Sequence, residues 1–269
     1  MSKELKVIAF FLIISLVLLT GYSAHYWWDS RDDLTNLSHI GHPKWSPPQK
    51  LYSKVHSNRF AVVPKGNKII SLFLTRDYTT KKETLHIQQS NFKGKINLEK
   101  ELLTKQSLNT FAVTKTKRGK INLFLISGKS DANQVLWHYL LDDSLNIIDK
   151  RKLIDDLNYA YSLNTYQRKN SVFLAFTSMR DNNYTLDILK YNDQEYKITN
   201  KREIPSKGLQ CRLPDLKWGD GRLYLTYLKQ DPAKLFQSSA GKRSKSNTYH
   251  LIIQEFDKNL KQLNKPVIL

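Results

Sequence analysis

The chain has 269 residues, of which 40% are hydrophobic and 11% aromatic, and this apolar content excludes an intrinsically disordered chain. Its 43 Lys and Arg residues against 24 Asp and Glu residues give a formal net charge of +19. This charge favours an anionic partner. The alternative explanation is a Lys- and Asn-rich composition that only maintains solubility. The single cysteine, Cys211, excludes an intramolecular disulfide and a thiolate metal cluster within one chain, and we interpret it as a small buried apolar residue.

Residues 1–28 have the pattern of a signal anchor. Lys3 and Lys6 precede an uncharged apolar run at residues 7–20, and a Tyr-Trp-Trp sequence closes the segment. From the start of the run to these aromatic residues the segment reaches the length of about 20 residues that a helix needs to span the hydrocarbon core, and aromatic side chains favour the outer interface. We therefore expect a single-pass helix in the cytoplasmic membrane, with the C-terminal domain on the extracytoplasmic side.

Cleavage of this segment is the alternative. An apolar core of this length also fits a secretory signal peptide, and Gly21 with Ser23 offers a small-residue pair for cleavage, after which the remaining chain is secreted. Lipoprotein processing is excluded because Tyr22 stands where the lipidated cysteine would be. A buried helix of a soluble protein is a third interpretation.

Residues 29–48 are predicted to be a linker. They contain several charged residues and three prolines and show no apolar periodicity. The remaining residues, 49–269, are predicted to form one domain.

An internal repeat of about 50 residues runs through this domain. Phe60-Ala-Val-Val and Ser71-Leu-Phe-Leu are matched by Phe111-Ala-Val-Thr and Asn122-Leu-Phe-Leu, and both matches have the same offset of 51 residues. Self-similarity at such a period is typical of propellers and solenoids.

Each repeat contains four short runs rich in Val, Ile, Leu, Phe and Tyr, separated by polar segments, as expected for strands joined by hairpins. We label these runs a, b, c and d in the order in which each repeat contains them. Run a includes Phe60, Phe111 and Tyr161, and run b is centred on Leu72, Leu123, Phe173 and Leu223. Run c begins at Thr84, Val135, Thr185 and Tyr249, and run d is centred on Leu51, Leu102, Leu153 and Ile204.

Four strands in a repeat of about 50 residues is the size of a propeller blade, so the chain resembles β-propeller repeat proteins and no narrower family. The predicted fold class is all-β and propeller-like, with four repeats plus an extra strand, because run d occurs near Leu51 and again at residues 266–269. A sandwich or an open β-solenoid is the alternative. The extra strand is compatible with two arrangements. One is a small propeller that closes on itself, and the other is an incomplete propeller that pairs with another chain, including a second copy.

The b–c loops of a propeller gather at one end, where ligands normally bind. Two of these loops carry the same pair, Arg76-Asp77 and Arg180-Asp181. We interpret these four as candidate ligand-binding residues because Arg binds carboxylate, sulfate or phosphate through two parallel hydrogen bonds. The alternative is turn chemistry, in which the Asp side chains bond their own backbone.

The fourth b–c loop is the longest, from Leu228 to about Asn247. It carries Lys242, Arg243 and Lys245 within four positions, which makes it a candidate anion-binding flap. A solvated loop without a specific role would have the same composition.

No cofactor and no metal site is predicted. Only His39 and His42 lie close together among the seven histidines, and no nearby carboxylate or thiolate supports them. His86, His138 and His250 recur on run c, which indicates a packing role.

No motif for a particular reaction is present. A Gly-rich phosphate loop, a Gly-x-Ser-x-Gly elbow and a His-Glu-x-x-His helix are missing from the sequence. Residues 127–137 lack the Ser-x-Asp spacing and the internal glycine of the sialidase aspartate box. Asp215 is the one acid of run a that could serve the paired-carboxylate chemistry of propeller glycosidases.

These features predict a membrane-anchored extracytoplasmic binding or scaffold module with a basic surface for an anionic polymer, a membrane surface or a protein partner. Nucleic acid is not favoured as a partner outside the cytoplasm. The alternative is a propeller-type glycoside hydrolase or lyase that acts on an acidic glycan. The fold resemblance alone implies no reaction.

Overall fold

The computed structural model describes residues 60–269 apart from 78, 106, 129–132, 182, 207–208, 231–235, 238–242 and 245–248. The predicted transmembrane helix, the linker and the run d expected near Leu51 lie outside these residues. Within the described residues, no helix is long and apolar enough to cross a membrane.

The described chain folds into antiparallel strands that form four blades of four strands each, with one strand shared by two blades. Blade one contains β1 (Phe60–Lys65), β2 (Lys68–Arg76), β3 (Glu83–Asn91) and β4 (Ile96–Lys105). Blade two contains β5 (Leu108–Lys115), β6 (Ile121–Ser127), β7 (Gln134–Leu141) and the first part of β8 (Ile147–Arg168). Blade three contains the second part of β8, β9 (Ser171–Arg180), β10 (Asn183–Asn192) and β11 (Lys197–Pro205). Blade four contains β12 (Cys211–Gly219), β13 (Arg222–Gln230), β16 (Tyr249–Phe256) and β17 (Val267–Ile268), and a hairpin of β14 (Phe236–Gln237) and β15 (Arg243–Ser244) lies in the β13–β16 connection.

The prediction of four a-b-c-d repeats is confirmed in the described part of the chain. The centres of run b lie in β2, β6, β9 and β13, and the starts of run c lie in β3, β7, β10 and β16. Each sheet pairs its strands in chain order, so a is the first strand of a blade and d the last. The regular spacing of the runs was therefore a correct guide to strand positions.

Strand β8 differs from the prediction of two separate strands. It is continuous over 22 residues, and it pairs first with β7 and then with β9. The result is one seven-stranded sheet from β5 to β11. No glycine or proline interrupts residues 147–168, and the chain passes from one blade to the next without a turn.

Blades two and three are buried on both faces. Successive side chains of a strand point to opposite faces, so each strand contributes to two cores. On β6, Leu123 and Leu125 belong to the core that blade two shares with blade one, whereas Phe124 and Ile126 belong to the core shared with blade three. A third core joins blades three and four and includes Phe173. The apolar runs without alternation in the sequence are thus strands packed on two sides.

The c–d turns share one device. The side-chain oxygen Oδ1 of a single Asn or Asp accepts two backbone N–H groups within the turn, as in an Asx turn. The four residues are Asn91, Asp142, Asn192 and Asp257.

The two ends of the blades carry different connections. We call the end with the b–c loops and the d–a connections the mouth end, and the end with the a–b and c–d turns the base end. The first strands lie next to one another: β5 packs against β1 and β8, and β8 packs against β12. We call these four the inner strands; for β8 the name refers to residues 158–168.

Candidate functional site

The inner strands are irregular at the mouth end of blades two, three and four. The strand register shifts at Leu108–Thr110 in β5, at Asn158–Asn164 in β8 and at Arg212–Asp215 in β12. Such bulges bend a strand and re-aim its side chains, and they are common next to active sites. The repetition of this irregularity at one end of three blades marks the mouth end as the candidate site.

Two large side chains stand in left-handed backbone within these bulges. Tyr159 has φ 47° and is 45% exposed, and Leu213 has φ 50° and is 65% exposed. A non-glycine residue in this conformation costs on the order of 1–3 kcal/mol, and such residues cluster at binding and catalytic sites. The fold therefore holds an aromatic and an aliphatic surface open to solvent at the mouth end.

Hydrogen bonds between blades fix the inner strands. The backbone N–H of Leu163 donates to Oγ1 of Thr110 over 3.2 Å, which links blade three to blade two. The hydroxyls of Tyr161 and Thr177 donate to the carbonyl oxygen of Cys211 over 3.1 and 3.0 Å, which links blade three to blade four. Cys211 itself is buried, as predicted, and burial raises the pKa of its thiol to about 11. Its role here is that of a backbone acceptor in a rigid mouth.

Asp215 is the one acidic residue of the inner strands. Its Oδ1 accepts a hydrogen bond from Nδ2 of Asn164 over 3.2 Å, and both side chains are partly exposed. The buried atoms Oδ1 of Asn164 and Nδ2 of Asn109 have no hydrogen-bond partner among the described residues. The inner strands thus offer one carboxylate together with amide groups that have unused hydrogen-bonding capacity.

Arg180 is held inside its own blade. Its Nη2 donates to Oδ1 of Asp187 over 3.1 Å, and its Nη1 donates to Glu203. Asp187 is 0% exposed, and Ser178 donates to its other oxygen over 2.5 Å. Burial raises the pKa of Asp187, whereas the Ser178 hydrogen bond and the charges of Arg180 and Lys201 oppose this rise. Arg180 is therefore less available to a ligand than the sequence suggested.

A cavity of about 330 Å³ lies beside this cluster at the mouth end. Its lining includes Asp155, Asp156, Asn158, Ser178 and Arg180. Asp187 is fully buried, so its carboxylate cannot touch a ligand in this cavity directly. We interpret the cavity as part of the mouth.

The remaining Arg-Asp candidates lie at hairpin tips. Arg76 is exposed, and the carboxylate of Asp77 accepts hydrogen bonds from Thr79 and Thr80, which lower its pKa. Asp181 has φ 48° and accepts a hydrogen bond through its carbonyl oxygen from Asn183. Turn chemistry accounts for both Asp residues, and the two Arg-Asp pairs have different surroundings.

The cationic flap lies largely outside the described residues. Lys242 and Lys245 are not described, and Arg243 is described only as part of strand β15. Their proposed role in binding an anion stays a prediction.

Two of the histidines of run c, His86 and His138, are buried. His86 stacks on Phe73 with a centroid distance of 5.0 Å. His138 is buried and bonds to Asn122 Oδ1 through Nε2 over 2.8 Å and to the Tyr191 hydroxyl through Nδ1 over 3.0 Å. Among the described residues, no group of three His, Cys, Asp or Glu side chains is placed to hold a metal ion.

Sequence reasoning missed the most distinctive residues of the mouth, namely Tyr159, Asn164 and Leu213. The signal that could have found them is the 51-residue repeat itself. It aligns Tyr161 with Phe111 at an offset of 50 residues, one fewer than the 51 residues between Phe60 and Phe111. The repeat does not reveal which residue leaves the strand register, and so these side chains were not singled out.

No family model matches the sequence, and no curated protein matches it either. Solved structures do resemble the fold. A subtype N10 neuraminidase-like protein of A/little yellow-shouldered bat/Guatemala has a TM-score of 0.54 and 13% identity, over 84% of this chain and 62% of that one. A neuraminidase-like protein from A/bat/Guatemala has a TM-score of 0.52 and 12% identity, over 79% of this chain and 54% of that one. The present chain therefore spans less than two thirds of these two proteins.

A GH43 endo-arabinanase from Bacillus licheniformis is matched over similar shares of both chains. The TM-score is 0.50 and the identity 13%, over 81% of this chain and 82% of that one. At such identities the likeness concerns the fold alone. It supports an all-β, propeller-like fold and identifies no specific family.

Proposed function

We propose that this protein is a carbohydrate-active propeller that takes an acidic glycan at its mouth end. The observation that carries the proposal is that Tyr159 and Leu213, at the mouth end of the inner strands β8 and β12, are exposed side chains held in strained backbone. An aromatic ring and an aliphatic side chain suit the apolar face of a sugar ring, and the amide group of Asn158, which lines the mouth cavity, suits its hydroxyls.

Positive charge at the mouth favours an acidic glycan over a neutral one. Arg212 is exposed on β12, bonds to Gln210 and lies over the ring of Tyr249 at 5.3 Å. A guanidinium held in this way can pair with a sugar carboxylate or sulfate through two hydrogen bonds. The net charge of +19 would add a long-range attraction.

Turnover of the glycan is the form of this proposal that the similar structures favour. Their names are those of an endo-arabinanase and of neuraminidase-like proteins, all of which share the propeller-like arrangement. Hydrolysis by two carboxylates needs one acid as proton donor and another as base or nucleophile. Asp215 is the residue on which turnover would depend, and a second carboxylate would come from the part of β8 that lines the mouth cavity, for example from Asp155 or Asp156.

Binding without turnover is the second candidate, and the acid content of the inner strands favours it. Asp215 is their one carboxylate among the described residues. A mouth with aromatic, amide and arginine side chains binds a glycan without the second carboxylate. This candidate retains the predicted binding module.

The proposal includes a location. The pattern of residues 1–28 predicts a membrane anchor, so the mouth would meet glycans on the extracytoplasmic side, or in the medium after cleavage. Labelling of intact cells with a membrane-impermeant amine reagent checks this, because an extracytoplasmic domain is labelled without lysis.

The experiment that tests the function incubates the full-length protein with polygalacturonate, a sialylated glycan and neutral arabinan. Binding is measured by calorimetry, and products are identified by mass. Asp215→Asn is compared with Asp220→Asn, a matched change at the base end of the same blade. Products that Asp215→Asn abolishes and Asp220→Asn preserves support turnover. Binding without products supports the second candidate, and the absence of both overturns the proposal.

A further inference from the structure

A second cavity lies at the base end, between blades two and three. It has a volume of about 390 Å³ and lies on the side of the blades away from the mouth. Its lining comes from the β5–β6, β8–β9 and β10–β11 turns: Thr116, Lys117, Arg118, Lys120, Asn170, Asp193, Gln194 and Tyr196. We propose that this cavity binds a phosphate group carried on a small polyol or sugar.

Three cations of one short turn face this cavity. Thr116 and Lys120 close the turn through a backbone hydrogen bond of 2.8 Å, so Lys117 and Arg118 are held at its tip. Among the described residues, no carboxylate lies within salt-bridge distance of Lys117, Arg118 or Lys120. Three cations without a direct partner in the described chain suit a ligand group with two negative charges better than one with a single charge.

Thr116 supplies an unused hydrogen-bonding group in the same cavity. The residue is 8% exposed, and its Oγ1 has no hydrogen-bond partner among the described residues. A buried hydroxyl without a partner is costly, and a bound oxyanion would accept its hydrogen bond. This second observation distinguishes the turn from an ordinary solvated hairpin tip.

The one carboxylate in the lining, Asp193, is held in place by neutral hydrogen-bond donors and offsets one of the three cations. Oδ1 of Asp193 accepts from Nδ2 of Asn122 over 2.7 Å, and Oδ2 accepts from Nε2 of Gln167 over 3.4 Å. Its backbone N–H donates to Asn170 over 2.8 Å. The carboxylate thus belongs to a fixed network, and the lining has three positive charges and one negative charge. The charge of Lys120 also acts on Asp143, which lies outside the lining.

The size and the other lining groups indicate the carrier. The cavity is larger than a bare phosphate ion needs, and it falls in the range of small-molecule sites. The amides of Asn170 and Gln194 and the ring of Tyr196 provide partners for hydroxyl groups and for a short carbon chain. A polyol phosphate matches this combination of a cationic turn and a neutral polar wall.

Calorimetry on the full-length protein with sn-glycerol 3-phosphate, inorganic phosphate and glycerol tests the proposal. We expect saturable binding of one glycerol 3-phosphate, weaker binding of inorganic phosphate and none of glycerol. The variant Lys117→Gln/Arg118→Gln should weaken glycerol 3-phosphate binding at least about tenfold, because it removes two charged hydrogen-bond donors to the phosphate. Thr116→Val should weaken it severalfold.

The matched control is Lys93→Gln/Lys95→Gln, which removes two exposed lysines from the c–d turn of blade one at the same end. Equal loss in both double variants, or no saturable binding, would overturn the proposal. Equal affinity for inorganic phosphate would overturn the polyol carrier. Thermal melting confirms that each variant folds.

Vesicles distinguish a lipid headgroup from a soluble source of the same chemistry. Binding to phosphatidylglycerol vesicles but not to phosphatidylcholine vesicles, lost in Lys117→Gln/Arg118→Gln and competed by glycerol 3-phosphate, assigns the headgroup as a ligand. Binding of soluble glycerol 3-phosphate without vesicle binding assigns a soluble ligand. Neither result depends on glycan binding at the mouth, so this proposal and the proposed function can fail separately.

Discussion

Asn164 of blade three donates a hydrogen bond from Nδ2 to Oδ1 of Asp215 in blade four over 3.2 Å. This contact is the one polar side-chain link that reaches the lone carboxylate of the inner strands among the described residues. It holds Asp215 in a defined position at the mouth, where an amide can orient a carboxylate without changing its charge. The stability of the mouth should therefore depend on the neutrality of residue 164.

The variant Asn164→Asp tests this dependence. Two carboxylates about 3 Å apart repel each other, which raises the pKa of one of them in the folded state above its unfolded value. At low pH the two carboxyl groups share a proton and the folded variant is stable. This stability is lost as pH rises through the raised pKa. We expect a loss of stability on the order of 2 kcal/mol at pH 7 and recovery near pH 4. Urea denaturation at both pH values measures it, and the exposed position Asn97→Asp should show no such recovery.

His138 should dominate the acid sensitivity of blades two and three. Burial lowers its pKa from 6.5 to about 4, opposed by Asp149 and assisted by Arg151. The neutral ring fits its contacts, because Nε2–H donates to Asn122 and Nδ1 accepts from the Tyr191 hydroxyl. Between pH 6.5 and 4 the unfolded state binds the proton more readily, so stability falls as pH falls, by up to about 3 kcal/mol in total.

The measurement is the free energy of unfolding from pH 7 to pH 4. His138→Gln should be less stable at pH 7 and should show a shallower fall. An unchanged slope in His138→Gln would contradict the assignment.

Arg180→Ala should lower the stability of the protein much more than Arg76→Ala. Loss of the Arg180 guanidinium leaves the buried carboxylate of Asp187 with Ser178 and the more distant Lys201, at 3.7 Å. We expect a loss of about 1–3 kcal/mol. Arg76 is exposed at a hairpin tip, and its removal should change stability by less than about 0.5 kcal/mol.

Thermal and urea melts of the two single variants check this difference. Asp187→Asn in the Arg180→Ala background should restore part of the loss, because it removes the uncompensated buried charge. Equal effects of Arg76→Ala and Arg180→Ala would refute the buried ion pair.

The strand positions could be predicted from the sequence because two independent signals agree. The apolar runs of β2, β6 and β9 recur every 50 or 51 residues, and Asn91, Asp142 and Asn192 recur at the same interval in the turns. A local side-chain cap that repeats with the strands sets the hairpin registers before any long-range contact forms. The union of two blades in β8 could not be predicted, since it depends on whether neighbouring sheets align.

The candidate site was less predictable for a physical reason. Arg180 looked like a ligand-binding residue because its sequence neighbours are polar, but its partner Asp187 lies on the next strand and becomes adjacent only through the β9–β10 register. An acid within the apolar run of β10 was the available signal. The bulge at Leu213 stands directly before Pro214, which cannot donate to a strand ladder, whereas no glycine or proline marks the bulge at Tyr159.

The passage of β8 through two blades makes one hydrogen-bond ladder of the strands from β5 to β11. Local opening that separates blade two from blade three would have to break this ladder, whereas blades one and four meet it through side-chain packing, side-chain hydrogen bonds and short connections. The chain therefore has a central block flanked by two attached units. A repeat could therefore be added or removed at either flank as a unit, whereas the two middle repeats could be gained or lost only together.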